Sequence, residues 1–343
     1  MEVWKEHFEQ LIFLQDQPSG LKAIIAIHNT KLGAALGGCR MWHYASEEDA
    51  VRDALRLAKG MTYKSAISGL PYGGGKAVIL GPPDQRKHEL LFRALGRYIE
   101  SLQGRYITGM DLGTSVADMD WIRLETTYVT DTTGSLGATG DLTAAMTAYG
   151  VYLGIRASLK RVFGTETFIH RTVAVQGLGK VGYQLCRYLK RSGAKLVVSD
   201  VNPSRRNQAV KDFGAHALRP DEIVEAACDV FSPCALGGII NDLTLPRLRC
   251  RIVAGAANNQ LAEKRHGHQL HKLGILYAPD YIINAGGIIV TSCELNGSDA
   301  AFANKQVENI YRTLTNVFDY ADRKRIPTSE AADERTEQLL AAP

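Results

Sequence analysis

The sequence predicts an α/β protein in two parts: an N-terminal α/β domain over residues 1–135 and a doubly wound, parallel-sheet domain over residues 140–325, with a cleft between them. Three observations lead there. The chain has 343 residues, more than one ordinary core accommodates and enough for two. A Gly- and Thr-rich stretch, TDTTGSLGATGDLTAAMTAYG (130–150), interrupts it as an interdomain crossing does. Beyond that stretch, strand-like apolar runs alternate with helical patterns, the mark of a parallel sheet covered on both faces.

Each element has its own local warrant. LKAIIAIHNT (21–30) is a β-rich apolar run and reads as a strand. The next helix opens at Ser46, whose hydroxyl can cap it, with Glu47, Glu48 and Asp49 favoured at the positive end of its dipole. Val51, Ala54, Leu55, Ala58 and Met61 give that helix an apolar face at three- and four-residue spacing. KAVILG (76–81) reads as a short buried strand entered through three glycines, HELLFRALGRYIESL (88–102) as a second amphipathic helix, and GRYITGMDLGT as a strand running into a loop that carries Asp111. After the crossing come a long helix, the strand RTVAVQ, and further strands at 194–200, 228–235, 251–258 and 274–287. The tail from about residue 305 reads as helical, with its last part, 326–343, packing back on the first domain.

Composition excludes several classes. The net charge of +4 is spread along the chain without a basic block, so no nucleic-acid partner is indicated. No apolar stretch approaches the roughly 20 residues of a spanning helix, so a membrane role is not expected. The six cysteines form no CxxC pair and no leader-like segment opens the chain, which points to a reduced, cytoplasmic protein.

VAVQGLGKVGYQLCRYLKRSGAKLVVSD is the most informative stretch. A strand ends at Gln176, GxGxxG falls on Gly177, Gly179 and Gly182 within the loop Gly177–Leu178–Gly179–Lys180–Val181–Gly182, a helix follows, and the next strand ends at Asp200. The first glycine permits the tight turn, the second lets the backbone approach a pyrophosphate, the third lets helix and strand pack, and the helix N-terminus offers free N–H groups to the anion. Asp200 stands where a carboxylate binds ribose hydroxyls, which favours NAD over NADP; Arg205 and Arg206 leave some NADP tolerance open. The other glycine run, LPYGGGKAVIL (70–80), fails as a Walker loop, since no Ser or Thr follows Lys76.

The first half offers three candidates for chemistry: Lys64, Lys76 and Asp111. Burial and a neighbouring ammonium each favour the neutral amine of a lysine, the form that acts as a base. From spacing alone Lys64 is equally a helix C-terminal charge, Lys76 a snorkelling one and Asp111 a turn cap.

A resemblance separates these readings. LGGCRMWHYASEEDAVRDALRLAKGMTYKSA, LPYGGGKAVI, GRYITGMDLGTSVADMD, SPCALGG, GAANNQL and YAPDYIINAGG resemble the amino acid (Glu/Leu/Phe/Val) dehydrogenase family, and most of all its leucine dehydrogenases, from about residue 20 to the C-terminal helices. The resemblance implies reversible, NAD-dependent oxidative deamination of an L-amino acid, leucine or another branched-chain one, to its 2-oxo acid and ammonia. It implies a homo-oligomer, from dimer to octamer, with a Rossmann-type second domain. Lys64 would hold the substrate carboxylate, Lys76 would activate the water that attacks the imino carbon, and Asp111 would exchange protons with the amino group. Gly37 and Gly38 would present N–H groups to the carboxylate beside Leu36, and Asn258 would sit between substrate and nicotinamide. Thr147, Cys234 and Ala235 would lie on the cofactor side.

The chain departs from the family pattern at the side-chain pocket. Gly109 stands where leucine dehydrogenases carry alanine and would enlarge the pocket; Ile288 would shrink it and Thr291 would make it slightly polar. Gly109 resembles the phenylalanine and tryptophan dehydrogenases, so an aromatic substrate stays open, as does a catalytically silent NAD-binding protein. The 137–147 segment lacks the two prolines usual in the family, which alters the hinge. His266, His268 and His271 cluster in RHGHQLH, but the spacing supplies no fourth ligand, and no metal is expected.

Overall fold

The computed structural model describes residues 7–83, 87–137 and 141–342. Contacts divide the chain into two compact units, one of Met1–Gly140, Thr291–Asp299 and Leu339–Pro343, the other of Asp141–Val290 and Ala300–Gln338.

The first unit is built on β1 (Gln10–Asp16), β2 (Leu21–Asn29), β3 (Ala35–Leu36), β4 (Cys39–Trp42), β5 (Gly73–Leu80) and β6 (Tyr106–Ile107), with α1 (Glu47–Ile67), α2 (Glu89–Ser101) and α3 (Val116–Arg123). Its sheet runs β1-β2-β5-β3-β6, with β4 pairing β5 off that path. Strand β2 is apolar from Ala23 to Ile27 because both its faces are covered there. Ala23, Ile25 and Ile27 join Leu91, Phe92, Leu95 and Ile99 of α2 and Met119 and Ile122 of α3. Ile24 and Ala26 point the other way, against Ala50, Val51, Ala54, Leu55 and Ala58 of α1. The Ser46 hydroxyl accepts the Asp49 N–H at 3.1 Å, as its place before the acidic turn requires.

The glycine run is strand, not an entry turn. A Cβ on Gly74 would lie 2.1 Å from the Thr62 nitrogen in α1, and one on Gly75 would lie 2.8 Å from the Tyr106 ring. The glycines let a helix and an aromatic ring seat directly on the strand backbone, so they serve packing and leave no open approach for a ligand.

The second unit contains α4 (Asp141–Phe163), β7 (Thr172–Gln176), α5 (Lys180–Arg191), β8 (Lys195–Ser199), α6 (Pro203–Phe213), β9 (His216–Ala217), β10 (Val230–Pro233), β11 (Ile252–Val253), α7 (Lys264–Lys272), β12 (Leu276–Tyr277), α8 (Asp280–Ile283), α9 (Gly286–Leu295), α10 (Ala300–Val307), α11 (Asn309–Lys324) and α12 (Thr328–Ala341). Helix α9 begins in this unit and ends in the first. The all-parallel sheet runs β12-β11-β10-β7-β8-β9. Read from the other edge this is the doubly wound dinucleotide-binding order, reversing between β7 and β10.

One expected strand needs correction. The run 274–287 contributes a strand only at 276–277 and then turns into α8 and α9, because short apolar runs do not distinguish strand from helix. Strand β1, pairing antiparallel with β2, carried no alternation strong enough to be read. Asp333 of α12 accepts from Lys264 at 3.0 Å and from the Tyr281 hydroxyl at 3.1 Å; contacts group α12 as far as Gln338 with the second unit and residues 339–343 with the first. Of the crossing segment, Ala138, Thr139 and Gly140 lie outside the described residues. No described helix is long and apolar enough to cross a membrane.

Candidate active site

Side chains alternate along β4 and β5. Cys39 and Met41 with Ala77 and Ile79 enter one core, so Arg40 and Lys76 project to the α1 side of the sheet. Lys76 is 5% exposed, and its Nζ lies 2.8 Å from Asp111 Oδ2. The same oxygen accepts from Arg40 Nε at 2.9 Å. Arg40 continues to Asp53 Oδ2 at 3.0 Å, where the Tyr44 hydroxyl also donates at 2.7 Å. Burial works against charge on Asp111, but the Lys76 ammonium and Arg40 guanidinium outweigh it and hold the carboxyl well below the usual carboxylate range. The site therefore carries a fixed anion clamped by two cations. Sequence reading missed Arg40, Tyr44 and Asp53. Arg40 was visible only as a charged residue between two apolar ones in CRMW.

The other substrate-side residues are distributed as follows. Lys64 sits half-buried in the last turn of α1. Leu36 is buried in β3. Gly38 packs so tightly that a Cβ would lie 2.4 Å from the Met110 carbonyl and 3.1 Å from Asp111 Cβ, which places its backbone against the Asp111 loop. Gly37 does not present its N–H as expected, because that group donates to the Ile107 carbonyl at 3.1 Å within the sheet. Gly109 does not open a space in the direction of its missing side chain: a Cβ there would lie 2.5 Å from Thr130 Oγ1 and 2.6 Å from Asp131 Oδ2. Ile288 is buried and Thr291 half-buried, one turn apart on α9.

In the second unit the GxGxxG loop joins β7 to α5. Gly177 has φ +97°, which favours glycine, and a Cβ on Gly182 would lie 1.9 Å from the Gly177 carbonyl oxygen. Gly179 caps α5 without a side-chain hydrogen bond, and a Cβ on it would meet nothing within 4 Å. Asp200 accepts the Leu178 N–H at 2.7 Å and the Asn202 N–H at 2.8 Å, and Arg205 lies 3.8 Å from it. Cys234 and Ala235 pack against Gly177, and the Cys234 thiol is pushed up by burial. Lys180 is exposed and bridges to Asp141 at 3.0 Å; Val181 follows it half-buried in the first turn. Thr147 donates to the Thr143 carbonyl at 2.8 Å, and Asn258 Oδ1 accepts from Asn284 at 2.8 Å. Among the described residues, buried Gln176 Oε1, Ser199 Oγ and Thr143 Oγ1 have no hydrogen-bond partner. An uncapped helix start, an open glycine face and orphaned polar atoms fit a dinucleotide.

The histidines do not converge. His266 turns inward, its Nδ1 accepting the Glu263 N–H at 3.0 Å, while His268 reaches Glu330 at 3.5 Å. Asp242, Glu263 and His266 bring one ligand atom each within 4.8 Å of one another, and Arg265 neutralises both carboxylates, at 2.7 Å to Asp242 and 2.9 Å to Glu263.

Residues 9–128 match the Glu/Leu/Phe/Val dehydrogenase dimerisation domain, and residues 137–204 and 204–335 match the glutamate/leucine/phenylalanine/valine dehydrogenase domain. The chain belongs to this dehydrogenase family. It is 54% identical to the leucine dehydrogenase of Thermoactinomyces intermedius, over 98% of this chain and 92% of that one. It is 47% identical to the phenylalanine dehydrogenase of Caldalkalibacillus thermarum, over 98% and 91%. The crystal structure of L-tryptophan dehydrogenase from Nostoc punctiforme superposes with a TM-score of 0.84 at 44% identity, covering 98% of this chain and 97% of that one. As a member of this family of amino acid dehydrogenases, the protein is an oxidoreductase whose candidate acid–base groups are the Lys76–Asp111 pair.

Proposed function

We propose that this dehydrogenase carries out NAD-dependent oxidative deamination of a branched-chain L-amino acid such as leucine, reversibly, giving the 2-oxo acid and ammonia. The observation that carries this reading is the buried Lys76–Asp111 pair, 2.8 Å apart, in a chain so similar to leucine dehydrogenases. NAD, held by the 177–182 loop, Asp200, Thr147 and the Cys234–Ala235 turn, supplies a hydride acceptor for the α-carbon. Lys64 holds the substrate carboxylate, with the Gly38 N–H beside it in place of Gly37. Lys76 takes the proton from the water that adds to the imino carbon, and Asp111 exchanges protons with the departing amine. Clamped by two cations, Asp111 is a weak base in this arrangement, so the Lys76 and Arg40 charges beside it set how readily it exchanges a proton. Asn258 lies on the cofactor side of the substrate.

The test is NADH formation by purified protein with leucine, isoleucine, valine, phenylalanine and tryptophan. The highest kcat/KM is expected with leucine or another branched-chain residue. A preference for phenylalanine or tryptophan would move the assignment to the aromatic dehydrogenases, and NAD binding without turnover on any of the five would mark a silent cofactor-binding protein.

Asp200 makes the protein an NAD rather than an NADP enzyme, because a 2′-phosphate would meet its carboxylate. Asp200→Ser is expected to lower kcat/KM for NAD by about 30-fold and to raise that for NADP, with Arg205 left to meet the phosphate. Steady-state kinetics with both cofactors check it; unchanged discrimination would remove Asp200 from the ribose site.

The enzyme is a homo-oligomer in this reading, supported by the match to a dimerisation domain and by edge strand β1, which exposes Phe13 at 66%. Six unpaired thiols fit a reducing compartment such as the cytoplasm.

A further inference from the structure

Asp131 is 7% exposed and has a left-handed backbone, φ +61°, which an aspartate adopts at some cost. Its carboxylate enters the space beside Gly109, where a Cβ would lie 2.6 Å from Oδ2, and that oxygen accepts the Met110 N–H at 2.8 Å. Met110 is the residue before Asp111. Behind Asp131, Glu294 of α9 accepts two N–H groups at 2.9 Å each, from Asp131 itself through Oε1 and from Gly137 through Oε2. The segment 109–111, the loop 130–137 and the end of α9 thus meet on two carboxylates.

We propose that Asp131 is a positioning residue for Asp111: its carboxylate holds the Met110 amide and so sets the backbone that carries the catalytic carboxyl, Gly109 is glycine to admit it, and Glu294 fixes its place. The inference rests on the role given above to Asp111. Burial foremost, with Glu294 beside it, pushes the Asp131 carboxyl up to about 6 against the pull of the Met110 N–H, so at neutral pH the Met110 bond is made to a charged acceptor. A carboxylate kept in so unfavourable a place, on a strained backbone, suits a group whose hydrogen bond matters more than its burial.

Two variants separate positioning from filling. Asp131→Ala removes the acceptor and is expected to lower kcat about 30-fold with KM for the amino acid and Kd for NAD within about threefold, since the misplaced group acts after binding. Asp131→Asn keeps an oxygen for Met110 and is expected to stay within about threefold of the parent kcat. The double variant Gly109→Ala/Asp131→Ala puts a methyl into that space without the acceptor, with Thr130 Oγ1, 2.5 Å from the new Cβ, having to turn aside; it is expected not to recover the turnover. Hydrogen exchange of the peptide spanning Met110 reads the same bond without activity: faster in Asp131→Ala, protected in Asp131→Asn. Full recovery of kcat by the double variant, or an unchanged kcat in Asp131→Ala, would reduce Asp131 to a space filler. If the parent protein turned over no amino acid, the proposed function would fail while the exchange measurement still decided whether Asp131 holds Met110.

Discussion

Lys76→Met is expected to lose about a thousandfold in kcat for oxidative deamination while Kd for NAD stays within about twofold. Methionine keeps the length and the apolar stem of a side chain that is only 5% exposed, so the strand β5 retains its packing. What disappears is the amine proposed to take the proton from water, a contribution of about 10²–10⁴ when a general base is well placed, and one of the two cations clamping Asp111. Asp111 keeps the Arg40 guanidinium, 2.9 Å away. The Gly177–Gly182 loop, proposed to hold NAD, belongs to the other unit and keeps its own hydrogen bonds. Lys76→Arg sharpens the test: it restores a cation for Asp111 but not a group that gives up its proton, so thermal stability should return while turnover does not. Single-turnover NADH formation with measured NAD binding decides it; more than a tenth of the parent rate in either variant would take Lys76 out of the proton path.

How far the sequence revealed this site depends on how local each reason is. The Gly177–Gly182 loop was legible because every glycine answers a nearby demand: a positive φ, an open approach, a contact in which a Cβ would stand 1.9 Å from a carbonyl oxygen. Lys76 and Asp111 were only candidates by spacing and gained roles by resemblance, since their pairing depends on how β5 and the loop after β6 are brought together. Arg40 was hidden for the same reason: nothing in CRMW tells that β4 lies parallel to β5 and turns the guanidinium toward Asp53 and Asp111. Asp131 sat in a stretch read as an interdomain crossing, and only the fold shows that it occupies the side-chain space of Gly109 and is held from α9 by Glu294. The run at 274–287 misled because its apolar residues satisfy strand and helix equally over so short a span.

Gly37→Ala and Gly60→Ala make the same chemical change and are expected to move stability in opposite directions. A Cβ on Gly37 would stand 1.9 Å from the carbonyl oxygen of Gly75 and 2.9 Å from its carbon, both backbone atoms of the strand that carries Lys76. Gly37 is also fixed on its other sides, donating to Ile107 at 3.1 Å and accepting the Tyr106 hydroxyl at 2.5 Å, so it cannot slide away. Relief requires β3 and β5 to separate, which breaks the Leu36–Gly74 register and the packing of α1 on Gly74. The cost is expected to be about 3–5 kcal/mol, at the severe end of single substitutions. Gly60 lies inside α1 with no heavy atom within 4 Å of a Cβ, and alanine there should add about 0.8–1 kcal/mol from helix propensity alone. Urea unfolding midpoints measure both, and kinetics add the decisive arm. In folded Gly37→Ala, Lys76 is displaced with its strand and kcat falls, whereas Gly60→Ala keeps parent kinetics. A small loss in Gly37→Ala with normal turnover would mean that β3 and β5 yield to each other, and that the close glycine contact is not what holds Lys76 in place.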